Sequence, residues 1–359
     1  MLPIVESNRA YERWLGRRLT LLPADLKRKH EKMAKSAFAF LRGTFFRWVE
    51  VWPDQCSELA DAPRILCVGD IHVENFGTWR DADGRLAWGV NDFDEAEVLP
   101  YTNDLVRLCT SVMLATARVS LARVCVSVLK GYRRSVQQGG APFVLGADHG
   151  WLANLAQIRA KEASEFWSRL GNFRRVTPPR NVQLLLTRAL PKQPVDLHFV
   201  HRPAGLGSLG RERFAAVATW SGGFVAREAK TLTVSAVHWL SNERGVTNRY
   251  GEILERAVRA YDPSLSVRKG WVLRRLAPDS RKIEIEELRR SSELGPFLEA
   301  MGWELGNIHL STPKRRNAIL HDLECRKTRW LQKATEQMVD ATVRDWKDWK
   351  KTLLESANV

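Results

Sequence analysis

The sequence predicts an α+β protein of two lobes sharing a cleft, and three observations predict it. Helical stretches occupy both ends of the chain. A β-meander with a glycine-rich loop lies between them. A strand, a loop and a hairpin rich in Asp and Asn interrupt the first helical region. Prolines 178, 179, 191 and 194 mark a boundary within residues 171–195. The expected division is a helical lobe of residues 1–190 plus 286–359 and a small β-rich lobe of 191–285.

Residues 8–50 carry Leu, Lys, Arg and Ala with apolar residues at three- and four-residue spacing, which reads as helix. Residues 64–68 are a short apolar run, the pattern of a buried strand, and stop at Gly69-Asp70. Segments 76–79 and 85–90 flank Asp81-Ala82-Asp83-Gly84, a hairpin with Asp-Gly at its turn. The second strand runs into Asn91-Asp92-Phe93-Asp94. A helix is expected from 103 to about 134 with Asn103 as N-cap, and helical character continues to about 170. Then 198–200, 214–220 and 224–230 read as a meander with a turn at Ser221-Gly222-Gly223. A helix near 247–260, a strand at 271–276 and helices from 286 onward complete the chain. In that last stretch Trp330, Trp346 and Trp349 are expected to pack against the lobe rather than stack on bases.

Composition narrows the function classes. A hydrophobic share of 44% and a charged share of 27% exclude wholesale disorder. The net charge of +15 favours anionic partners, namely nucleotides, nucleic acid or an acidic surface, with a solvated basic surface as the equal alternative; the basic residues are dispersed. Five cysteines, at 56, 67, 109, 125 and 325, show no C-x-x-C spacing, which argues against a disulfide framework and a zinc site. With neither a secretory leader pattern nor a run of 18 apolar residues, the expectation is a cytoplasmic protein with no membrane partner.

Chemistry concentrates in two places. In Gly69-Asp70-Ile71-His72-Val73-Glu74-Asn75 one loop carries an Asp and, five residues later, an Asn; after the hairpin a second loop brings Asp92 and Asp94. Phosphoryl transfer needs such an order. Magnesium prefers oxygen ligands, which Asn75 and Asp92 supply, with Asp94 as an extra one. Asp70 stays unligated and faces the acceptor hydroxyl or amine. The second place is Gly205-Leu206-Gly207-Ser208-Leu209-Gly210, followed by a strand-like segment rather than the helix of a dinucleotide fold. A glycine loop between strands covers phosphates with backbone amides. The basic residue that reaches the phosphates is Lys230 or Arg227, which point to opposite sides of one strand. Glu252 and Glu255 are candidate partners for it.

These motifs resemble the protein kinase-like superfamily, in particular its aminoglycoside and choline phosphotransferase branch, although Val68 stands where that branch usually has His. The chain is more closely similar to the bacterial family called domain of unknown function 2252. That likeness rests on Phe38 to Gly43, Gly69 to Gly77, Asn91 to Glu95 and Asp104 to Leu108. The resemblance implies a kinase-like fold with circularly permuted order, because the catalytic loop precedes the glycine loop. Gly306-Asn307-Ile308-His309-Leu310 then matches the helix ahead of the catalytic loop, with His309 buried and structural, as His72 is. Asp104 is expected to cap its own helix or hold the loop of Asp70. Arg274, Arg275 and Lys282 border a hinge and could meet an anionic substrate, although solvated charge is the favoured reading. The expected function is a phosphotransferase using ATP and Mg2+ on a small-molecule or protein acceptor. A nucleotide-binding scaffold without catalysis and a nucleotidyl transferase are the rivals, and a nucleic-acid-binding protein is the less favoured one.

Overall fold

The computed structural model describes residues 2–241, 246–288 and 291–357. Helices α1 (Ile4–Gly16), α2 (Pro23–Lys35), α3 (Ala37–Gly43) and α4 (Phe45–Gln55) open the chain. Strand β1 (Arg64–Cys67) then leads to the first chemical loop, and β2 (Phe76–Arg80) and β3 (Leu86–Val90) form the hairpin. Strand β4 (Glu97–Pro100) returns antiparallel to β1 and delivers the chain into α5 (Tyr101–Ala115). Helix α6 (Leu121–Gln138) begins at Ser120, whose Oγ accepts from Arg123 N, and ends at Gly139 with φ +87°. A short β5 (Phe143–Val144) extends the hairpin to three strands.

Next come α7 (Gly150–Ala156), α8 (Ala160–Gly171) and α9 (Arg180–Ala189). The meander follows as β6 (Val195–His201), β7 (Arg213–Trp220) and β8 (Gly223–Thr231). After α10 (Tyr250–Arg256), strands β9 (Ser266–Arg268) and β10 (Trp271–Leu276) complete an antiparallel sheet of order β6-β7-β8-β10-β9. Helices α11 (Ser291–His309), α12 (Arg316–Cys325) and α13 (Trp330–Ala357) close the chain. The protein mixes helix and sheet, as the α+β expectation requires. No helix among the described residues is long and apolar enough to cross a membrane.

Two departures from the sequence reading have local causes. The helix expected at Asn103 starts at Tyr101, because Pro100, at φ −53°, ends β4 and precedes the first helical residue. Asn103 turns inward instead and accepts from Trp48 Nε1 at 2.9 Å. The long helix expected to 134 is two, α5 and α6, parted at 116–120.

The main core joins α1–α6 and α11–α13 around the two small sheets. Trp346 and Trp349 donate to the carbonyls of Ala34 and His30 and pack α13 onto α2, as expected of them. The five-stranded sheet has its own cores. On one face Val182 and Leu186 of α9 meet Phe214, Ala216, Ala229 and Leu273. On the other, Leu170 of α8 meets Val200, Ala215, Val217, Ala226 and Leu276. Helices α8 and α9 thus pack on the sheet, although the expected division puts them in the helical lobe of residues 1–190. Conversely Tyr250 and Ile253 of α10, from within residues 191–285, are buried in the main core.

Candidate active site

Between the sheet and the helical body lies a cleft of about 620 Å³ whose walls include Asp70, Asn75, Asp92, Asp94, Gly205, Gly207 and Ser208. Segments remote in sequence thus meet over one space.

The loop after β1 is held from below by α5. Asp104 accepts from Val68 N at 2.7 Å and Gly69 N at 3.1 Å, so it holds the loop rather than capping its helix. One turn along the same face, buried Arg107 pairs through Nη2 and Nε with Asp70 Oδ1 and also donates to the Leu41 carbonyl. Its guanidinium stacks between Phe45 and Trp48. Gly69 has φ +80°, and a Cβ there would lie 2.3 Å from the Glu95 carbonyl oxygen, so the turn admits only glycine. His309 bonds Asp104 through Nε2 and Tyr132 through Nδ1, which makes it a buried brace.

Cys67, Asp104 and His309 come close enough to suggest a cation site. However, the Asp104 oxygens already accept the two loop amides, Asn103 and His309, and the Cys67 thiol rests on the Leu99 carbonyl. Burial pushes that thiol well above its ordinary range, so it stays protonated and is a poor ligand. The trio is a hydrogen-bonded support.

Asp70 therefore has one oxygen on Arg107, while Oδ2 faces Gly207, whose Cβ position lies 3.4 Å away. Burial raises the Asp70 carboxyl to about 6, against the opposing pull of Arg107. Asn75 Oδ1 accepts from His72 N at 2.7 Å and keeps a second lone pair. His72 in turn accepts from Glu74 N, so it braces the loop.

Lys230 Nζ lies 2.9 Å from Asp92 Oδ1 and 2.5 Å from Asp94 Oδ1, with its side chain only 3% exposed. Burial works against the Asp92 charge, but Lys230 outweighs it and holds Asp92 well below the carboxylate range. Burial and the neighbouring Asp92 charge push Asp94 up to about 6. Arg227 occupies the other face of β8, beside Ala216 and Arg275 in the register, and does not line the cleft. Nor do Glu252 and Glu255 partner Lys230; Glu252 binds Arg249 and Arg256. Gly210, at φ +99°, packs against Leu26 and gives its carbonyl to Leu22 N, outside the cleft lining.

The donors present suit a hard divalent cation: an amide oxygen from Asn75 and carboxylates from Asp92 and Asp94, which Lys230 bridges and Arg211 approaches at 3.9 Å from Asp94 Oδ2.

Several cleft residues escaped the sequence reading. Glu228, fully buried on β8, binds Arg274 of β10 at 2.7 Å, Arg213 of β7 at 3.3 Å, and Arg202. Arg213 also donates to Ser208 Oγ at 2.5 Å. Arg42 and Lys282 converge on Glu74, at 2.9 and 3.2 Å. Arg274, Arg275 and Lys282, for which solvated charge was the favoured expectation, thus belong to the cleft wall. The only available signal was ionic residues inside otherwise apolar strands, as in Trp271-Val272-Leu273-Arg274.

Comparisons with curated proteins and with solved structures yield no match. A family model does match: residues 18–165 are similar to the family described as "Uncharacterized protein conserved in bacteria (DUF2252)", a span that contains Asp70, Asn75, Asp92, Asp94, Asp104 and Arg107 but ends before the glycine loop and Lys230.

Proposed function

We propose that the protein is a Mg2+- and ATP-dependent phosphotransferase acting on a hydroxyl or amine, built as a kinase-like fold in permuted order. The observation that carries this reading is the shared cleft: Asp70, Asn75, Asp92 and Asp94 from one lobe face Gly205, Gly207 and Ser208 from the other. The volume, about 620 Å³, is in the range of small-molecule sites.

Asn75, Asp92 and Asp94 would hold the cation, which when bound supplies positive charge to the phosphate oxygens. Asp70 Oδ2 orients the acceptor and takes its proton as the acceptor atom bonds to the terminal phosphorus and the bond to the bridging oxygen breaks, releasing ADP. Its raised value, about 6, makes it a stronger base than an ordinary aspartate. Lys230 fixes the separation of Asp92 and Asp94 and screens their repulsion. Gly207, packed over Asp70, lets backbone come near the reacting groups.

The test is to incubate the protein with Mg2+, a cell extract and ATP labelled at either the γ or the α phosphate. Transfer of the γ label is expected. Asp70→Ala should lower transfer by about 10²-fold or more while retaining Mg-ATP binding, whereas Asp92→Ala should weaken that binding itself. Movement of the α label would make the chemistry nucleotidyl transfer, and no movement of either would end the phosphotransferase reading.

A further inference from the structure

The residue on which kinase-like chemistry relies to grip phosphates is poorly placed to do so here. Lys230 is sunk between two carboxylates and 3% exposed, and it is absent from the cleft lining. The neighbouring wall has the opposite property. Arg202, Arg213 and Arg274 all line the cleft, and a single carboxylate, Glu228, serves the three. They stand on one face of the sheet, because Glu228 pairs in register with Arg274 on one side and Ala215 on the other, two residues from Arg213.

Glu228 is the one carboxylate bonded to the three guanidiniums, and Asp92, already paired with Lys230, offsets Arg274 and Arg213 only in part, so the cluster keeps a surplus of positive charge in a largely buried place. Such a surplus is costly unless an anion joins it. Glu228 uses its two oxygens to orient the cluster: Oε1 accepts Arg274 Nε and Arg213 Nη1, and Oε2 accepts Arg202 Nη1. Both terminal nitrogens of Arg274 and the Nη2 of Arg202 therefore remain as donors. Arg213 adds the link to the glycine loop, through Ser208 Oγ and a 3.1 Å approach to the Cβ position of Gly205. The forked guanidinium matches phosphate oxygens in pairs.

We infer that Arg202, Arg213 and Arg274, fixed around Glu228, form the subsite that takes the polyphosphate of the nucleotide, with Lys230 kept as the internal counter-ion of Asp92 and Asp94. This builds on the phosphotransferase reading and moves phosphate recognition from the lysine to an arginine cluster.

The probes are sodium tripolyphosphate, ATP, adenosine and glycerol 3-phosphate, titrated in EDTA with calorimetry and thermal unfolding as readouts. Tripolyphosphate and ATP should bind and raise the unfolding midpoint, adenosine should not, and glycerol 3-phosphate should bind far more weakly. Burial disfavours the Arg202 charge, so Arg202→Gln should leave the free protein unfolding at the same or a higher temperature, whereas Arg274→Gln takes a partner from buried Glu228 and from Asp92 and should unfold somewhat lower. Each should weaken tripolyphosphate binding by about tenfold or more. Arg274→Lys, which keeps the charge and loses the fork, should fall between. Tripolyphosphate binding that is absent in the parent, or equal in parent and both Gln variants, overturns the inference. So does preferential binding of glycerol 3-phosphate, which would assign the cluster to a phosphorylated acceptor. Arginine-dependent tripolyphosphate binding without any label transfer from ATP would leave the subsite standing and remove the phosphotransferase.

Discussion

Asp70 and Arg107 set the acid limb of the expected activity. The Asp70 carboxyl sits at about 6, and so does that of Asp94. A general base works only when deprotonated, so transfer should be lost as pH falls through about 6 and regained as it rises. Both groups share that limb. Raising Mg2+ should pull the Asp94 contribution to lower pH and leave that of Asp70 in place; a rate profile that is flat between pH 5 and 7 would remove Asp70 as the base. Arg107→Met deprives Asp70 of its counter-charge and strands it in a buried site. The variant should be less stable by on the order of 3 kcal/mol in denaturant unfolding, and its acid limb should move upward. Stability equal to the parent would show that Arg107 does not hold the loop.

At the scale of elements, α6 and α11 approach through glycines. A Cβ on Gly131 would lie 1.8 Å from the Glu299 carbonyl oxygen, and one on Gly302 would lie 2.1 Å from that of Val128. No side chain fits without separating the helices. Because α11 carries His309 to Asp104, separation reaches the loop of Asp70. Gly302→Ala should therefore cost about 1–3 kcal/mol, read from chemical denaturation, and also reduce transfer; an unaffected variant would mean that the helices tolerate greater spacing. This contact illustrates what the sequence withheld. The strand into Gly69, the hairpin at Asp83-Gly84 and the meander were legible, because local turn chemistry and apolar runs specify them. The loop residues Asp70, Asn75, Asp92 and Asp94 were legible as a spacing. The arginine cluster was not, since Arg202, Arg213 and Arg274 are far apart in the chain and acquire meaning only through strand register with Glu228. The choice between Lys230 and Arg227 likewise depended on which face of β8 turns to the cleft. The start of α5 was misread because Asn103 offers a capping side chain that tertiary packing draws toward Trp48.

For the whole molecule, the five-stranded sheet and the helical body are tied at the site itself and again at the N-terminal helices. Lys230 bridges to Asp92 and Asp94, while Lys29 of α2 donates to the Gly207 carbonyl, Leu22 N to that of Gly210, and Asp25 meets His201 at 3.1 Å. Removing the central tie with Lys230→Met leaves Asp92 without its ammonium and Asp94 with only Arg211, 3.9 Å away. The unfolding temperature of that variant should fall in EDTA and recover with Mg2+ or Mn2+ more than the parent's does, because the dication replaces the lost ammonium. Equal responses to metal in both proteins would place the cation elsewhere.

The ion pair between Asp92 and Lys230 spans 138 residues of chain. During synthesis the acidic loops emerge from the ribosome well before their partner, and the helices α11–α13 that complete the main core emerge later still. A nascent fragment ending ahead of β8 must hold Asp92 and Asp94 without their ammonium. Closing this pair therefore waits for β8, and completing the main core waits for α11–α13.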